Sequence, residues 1–100
     1  MAEITKEKFK VGTDAMILFE NINGVPFMEA LAQDVIPMPM AIEIMACTWK
    51  GGDIDSYGEF KSLDEFQDLV FDAELRSEIF VKIMGDVQKK FEEMKAKHKK

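Results

Sequence analysis

The sequence predicts a small all-α domain of about five helices, the last of them the longest. Three observations carry this. Apolar residues recur at helical spacing, most cleanly at Phe80, Ile83, Met84, Val87, Phe91 and Met94. Glycine and proline punctuation at Gly24, Pro26, Pro37, Pro39 and Gly51-Gly52 cuts the earlier chain into short helices. One hundred residues, 47% hydrophobic and 32% charged, supply one modest core rather than a disordered chain or several domains.

The elements follow in order. Residues 1–12 read as an N-terminal arm in which Ile4, Phe9 and Val11 form a short extended segment ending at Gly12. Residues 13–88 read as the helical domain and 89–100 as the basic end of its last helix. Thr13 is the expected N-cap of the first helix, which carries Ala15 to Phe19 and Ile22 and ends near Asn23-Gly24. Pro26 suits the first position of the next, through Phe27, Met28, Ala30 and Leu31. Pro39 opens a third helix with Ile42, Met45, Ala46 and Trp49 on one face. Residues 53–61 read as a polar loop. Ser62 and Glu65 match a capping box before Leu63, Phe66, Leu69 and Val70. Asp72 is the expected N-cap of the last helix. Few apolar positions follow Gly85, so the C-terminal half of that helix is expected to project from the body as a docking element.

Charge is divided unevenly. Of 13 basic and 19 acidic side chains, six lysines and two glutamates fall in residues 89–100, a local +4. The first 88 residues then carry 7 basic and 17 acidic groups, or −10. Such a body repels nucleic-acid phosphates and anionic lipid, and the lysines complement the negative end of a C-terminal helix. No apolar stretch reaches the roughly 20 residues of a membrane span. No basic-then-apolar leader is visible, and the single Cys47 has no internal disulfide partner. These features lead one to expect a cytoplasmic protein.

Catalytic chemistry is not legible. His98 sits in a lysine-rich terminus, Cys47 lies among apolar residues, and Gly51-Gly52 lacks the spacing and lysine of a phosphate loop. One Cys and one His do not make a zinc site. No cofactor is expected. One segment has metal-like spacing. Asp53, Asp55, Gly58 and Phe60 fall at positions 1, 3, 6 and 8 of an EF-hand loop, with Glu59 at 7 and Asp64 at 12. Tyr57 at position 5 and the short Asp64 at position 12 depart from that pattern. A calcium-binding helix-loop-helix is therefore one alternative function. Another is an acidic nucleic-acid mimic, prompted by nine acids and two bases between Asp53 and Glu78. The leading expectation is a non-catalytic protein that binds other proteins. The methionine-rich run from Met38 to Trp49 is either a core helix or part of an adaptable groove. Met38, Met40, Met45 and Trp49, with Phe91 and Met94, are the candidate partner contacts.

The plan resembles the short tail assembly chaperones of long-tailed bacteriophages. The likeness rests on Thr13 to Glu20 as an apolar helix with a late glutamate, and on the turn and short helix from Gly24 to Leu31. It continues through the apolar helix and polar loop from Ile42 to Asp55 and the Ser62-Leu63-Asp64-Glu65-Phe66 segment. It covers most of the chain through loose motifs. The resemblance implies a chaperone that coats the tail tape-measure protein, contacts tail-tube subunits and is absent from the finished virion. It also implies a longer frameshifted form, which an adenine-rich message for Lys95, Lys97, Lys99 and Lys100 would suit. Self-association along the client is expected.

Overall fold

The computed structural model describes residues 4–64 and 66–98. The fold is all-α, as the sequence predicts. After a single 3-10 turn at Lys6–Lys8 come α1 (Thr13–Asn23), α2 (Phe27–Leu31), α3 (Met38–Thr48), α4 (Ile54–Ser62), α5 (Phe66–Phe71) and α6 (Ala73–His98). Among the described residues there is no strand, only one isolated antiparallel bridge between Phe9 and Trp49.

Several ends follow from local chemistry. Gly24 takes the left-handed conformation at φ +73° and returns its N–H to the Glu20 carbonyl, which closes α1. Asp72 accepts from the Leu75 N–H at 3.0 Å, as expected of the cap of α6. Other starts shift by one residue. Gly12, not Thr13, is the N-cap of α1, Pro26 is the N-cap of α2 rather than its first residue, and α3 begins at Met38, one residue before Pro39.

The segment read as a polar loop is a helix. Asp53 accepts from the Ser56 N–H at 2.7 Å and starts α4, and Phe60 anchors that helix in the core at 0% exposure. One buried aromatic leaves too sparse an apolar pattern for periodicity to register. The capping box is also displaced: Ser62 lies in the last turn of α4 and donates back to the Gly58 carbonyl at 2.9 Å. Its proposed partner Glu65 lies outside the described residues.

The arm runs through the middle of the fold. Ile4, Phe9 and Val11 are buried. The Lys10 N–H donates to the Thr48 carbonyl at 2.9 Å, and the Lys50 N–H to the Lys8 carbonyl at 2.7 Å. Phe9 then packs edge-on to Trp49 at 5.3 Å and to Phe60 at 5.9 Å, while Phe66 closes the cluster against Phe60 at 5.4 Å. α3 is the central helix, with every residue from Ile44 to Thr48 buried.

α6 is fastened mainly to that arm. Lys82 Nζ donates to the Phe9 carbonyl at 2.8 Å, and Asp86 Oδ2 accepts from Lys82 at 2.8 Å and from the Val11 N–H at 3.3 Å. Below these polar ties, Ile79, Ile83 and Val87 enter the core. Residues 88–97 are all exposed, so the C-terminal part of α6 projects as the sequence predicts. The molecule measures 49 × 26 × 25 Å.

Candidate protein-binding groove

α6 presents two apolar stripes. Ile79, Ile83 and Val87 form the inner one. The other is Phe80, Met84, Val87, Phe91 and Met94, spaced 4, 3, 4 and 3 residues apart. That is the seam of a coiled coil, which keeps one narrow face toward a partner helix. Phe80 is half-buried, but Met84 and Phe91 are each 49% exposed and Met94 is 54% exposed. Apart from Phe80 and Val87, which pack on the core, the seam is open among the described residues.

It forms one wall of a groove made of three adjoining concavities. At the N-terminal end, about 500 Å³ lies between Phe80 and Met84 on one side and Ile36, Met38 and Ala41 on the other. In the middle, about 320 Å³ lies between Met84, Val87 and Phe91 and the α2 residues Met28 and Leu31. At the projecting end, about 340 Å³ is bounded by Phe91 and Met94 against Val11, Gly12, Met16 and Met28. Shared residues join each space to the next: Leu31 and Met84, then Met28, Val87 and Phe91. Five of the chain's eight methionines line the walls. Unbranched thioether side chains re-pack around differing surfaces at little cost, which suits a groove of variable occupant.

The candidate contacts separate on this geometry. Met38, Phe91 and Met94 line the groove, and Met40 is half-buried against the core. Met45 and Trp49 are 0% and 1% exposed. They cannot meet a partner without unfolding, so for them the core reading holds. The Trp49 indole N–H donates to Glu59 Oε1 at 3.1 Å, and the Lys8 and Lys50 ammonium groups lie 5.4 and 5.7 Å from its ring centroid. Met16, Met28 and Leu31 are wall residues that sequence reasoning did not single out. Each sits on a short helix whose burial pattern depends on where α6 passes.

The calcium-loop spacing serves another purpose. Asp53 is the cap of α4, and Glu59 bonds Trp49 and Lys50. Both carboxyls are held below their usual range, Asp53 by the Ser56 N–H and Glu59 by hydrogen bonds from Lys50 and then Trp49. Asp55 lies in the first turn of α4 and Asp64 follows its end. Residues 54–62 being helical, the loop that an EF-hand requires is not formed. Among the described residues no three metal-ligating side chains cluster.

A polar cluster joins α3 to α4. Tyr57 Oη donates to Glu43 Oε1 at 2.8 Å, and Lys61 Nζ lies 2.7 Å from Tyr57 Oη and 2.5 Å from Glu43 Oε2. Burial opposes ionisation of Glu43, but the bonds from Lys61 and Tyr57 outweigh it and hold the carboxyl below the ordinary glutamate value. Burial and then the Glu43 charge push the Cys47 thiol up to about 12, so it stays protonated at neutral pH. Each member of the cluster is engaged with the others, and none faces the groove. No helix among the described residues is long and apolar enough to cross a membrane. Comparison of the chain with protein-family models, with curated proteins and with solved structures gives no match.

Proposed function

We propose that this protein is a non-catalytic assembly chaperone that receives an amphipathic helix of its client in the groove along α6. The observation that supports it is the 4-3 seam, half exposed over Met84, Phe91 and Met94 and faced by a second apolar wall. A helix laid there completes the packing that the seam's spacing anticipates. The resemblance to phage tail chaperones assigns the client: the long helical tape-measure protein, with tail-tube subunits as further partners. Methionine walls allow many client segments to bind weakly and leave again as the tube assembles. The acidic body keeps the chain soluble at high local density.

The test begins with the gene's downstream sequence, where a slippery run and then a very long helical reading frame are expected. Co-expression with that product should keep it soluble and give a complex that purifies intact. The double variant F91E/M94E should leave the chain folded and lose the complex. If no such frame follows the gene, or if the wild-type chain leaves its product insoluble and unbound, the chaperone reading fails.

A further inference from the structure

The residues flanking the seam identify the class of helix that fits it. With Met84 and Phe91 as heptad positions a and Phe80, Val87 and Met94 as d, the flanking e and g positions from Phe80 onward are Val81, Ile83, Gln88, Lys90, Lys95 and Lys97. Ile83 is turned into the core at 0% exposure. Beyond it both flanks are exposed, and their only charges are three lysines. Lys90 is itself part of the groove wall beside Phe91 and Met94. The acids of this stretch, Glu92 and Glu93, fall at b and c, on the side away from the seam. Beyond Ile83, an acidic protein therefore borders this open apolar seam of α6 with positive charge.

We propose that the groove is selective for an amphipathic helix whose own flanking positions are acidic, and that it rejects a second α6 laid parallel. This rests on the reading of the groove as a helix receptor and adds the partner's charge. Across a helix pair, e and g residues of the two chains face one another and set partner choice. In a parallel pair a second copy of α6 would bring Lys90 of one helix against Lys95 of the other, because each g position faces the following e position of its neighbour. A helix with glutamate at those positions brings opposite charges to all three. The same lysines also complement the dipole of α6, but that role is indifferent to which side of the helix they occupy. Lys89, at position f, shares the dipole role and faces away from the seam, which makes it the internal control.

The experiment uses the full chain and two synthetic 28-residue helical peptides. Both carry leucine at a and d; one has glutamate at every e and g position and the other has lysine. Fluorescence anisotropy at low salt and at 0.5 M salt reads the affinities, and sedimentation velocity reads the chain's own association. The glutamate peptide should bind about tenfold more tightly than the lysine peptide, as three exposed ion pairs allow, with most of the difference gone at high salt. F91E/M94E should bind neither. K90E should reduce the preference, K90E/K95E/K97E should reverse it, and K89E should leave it in place. Equal binding of both peptides overturns the charge selection while sparing the helix-groove reading. Binding of neither overturns both. If the chain dimerises, and F91E/M94E or the peptides abolish the dimer, the occupant is a second copy and the proposal is wrong.

Discussion

Trp49 and Phe91 are both large apolar residues near the end of an apolar stripe, yet Trp49 is 1% exposed and Phe91 is 49% exposed. Around Trp49 the arm, α3 and α4 converge, so the ring meets Phe9 and Phe60 while its N–H finds Glu59. Around Phe91 the arm, α1 and α2 come near only as the far walls of the groove, because α6 is tied down through Phe9, Val11, Lys82 and Asp86 and has no polar tie of that kind at Phe91. The contrast separates apolar surface used to make the fold from apolar surface left open to solvent. Methionine is distributed the same way: Met45 fills the core, whereas Met84 and Met94 stand in the groove.

The comparison is broken most directly at Trp49. Trp49→Ala removes the centre of the aromatic cluster and one of the hydrogen bonds to Glu59, leaving that from Lys50. It should cost about 3–5 kcal/mol in urea unfolding, with loss of most cooperative structure. An effect under about 1 kcal/mol, the range of weakly packed sites, would place Trp49 with Phe91 instead.

Gly52→Ala tests how tightly α1 is held to α3. Gly52 has φ +84°, and a Cβ there would collide with the Cys47 carbonyl and the Ala15 backbone. Strained backbone and overpacking together should cost about 2–4 kcal/mol by chemical denaturation. Gly51→Ala shares the positive φ, at +92°, but meets open space, so its cost should be clearly smaller.

The Glu43 clamp should contribute less. Glu43→Gln leaves Lys61 and Tyr57 without their carboxylate and should cost about 1–2 kcal/mol at neutral pH. The sign of its pH dependence is fixed by the direction of the shift. Glu43 titrates lower in the folded chain than its ordinary value of 4.5, so its contribution is present above that value and is lost as pH falls through the folded pKa. Lys61 titrates above its ordinary value of 10.5, with hydrogen bonds to Glu43 and Tyr57 overcoming the effect of burial. Its contribution is present below that value and is lost as pH rises through the folded pKa. Melting curves of wild type and E43Q should therefore converge on the acid side, where the clamp's carboxylate is protonated. A constant offset across pH 2–7 would sink this account.

The smallest stability effect belongs to the seam. Met94→Ser and Phe91→Ser should each change unfolding free energy by no more than about 0.5 kcal/mol, because solvent already reaches half of each side chain. Their helical circular dichroism should match wild type while client or peptide binding falls. Loss of helicity in either would mean that the seam belongs to the core.

How much was legible follows from the range of each interaction. The all-α class, the last helix, the Asp72 cap and the Gly24 turn depend on residues within four positions of one another, and sequence displays that range directly. α4 escaped because it has one fully buried anchor, Phe60, whose partners Phe9 and Trp49 are distant in the chain. The calcium-like spacing misled for a related reason: an aspartate before a turn serves a helix cap as readily as a metal ion.

Sequence by itself determined that α6 carries a 4-3 apolar seam bordered by lysines. Only the tertiary structure decided which part stays open. The Val11 N–H meets Asp86 across 75 residues, and Lys82 reaches the Phe9 carbonyl across 73. Those long-range ties set where α6 leaves the body, and so commit Met45 and Trp49 to the core and Met84, Phe91 and Met94 to the groove. Periodicity records that a residue is apolar on a given face. What that face meets depends on chain segments far away in sequence, which no local pattern encodes.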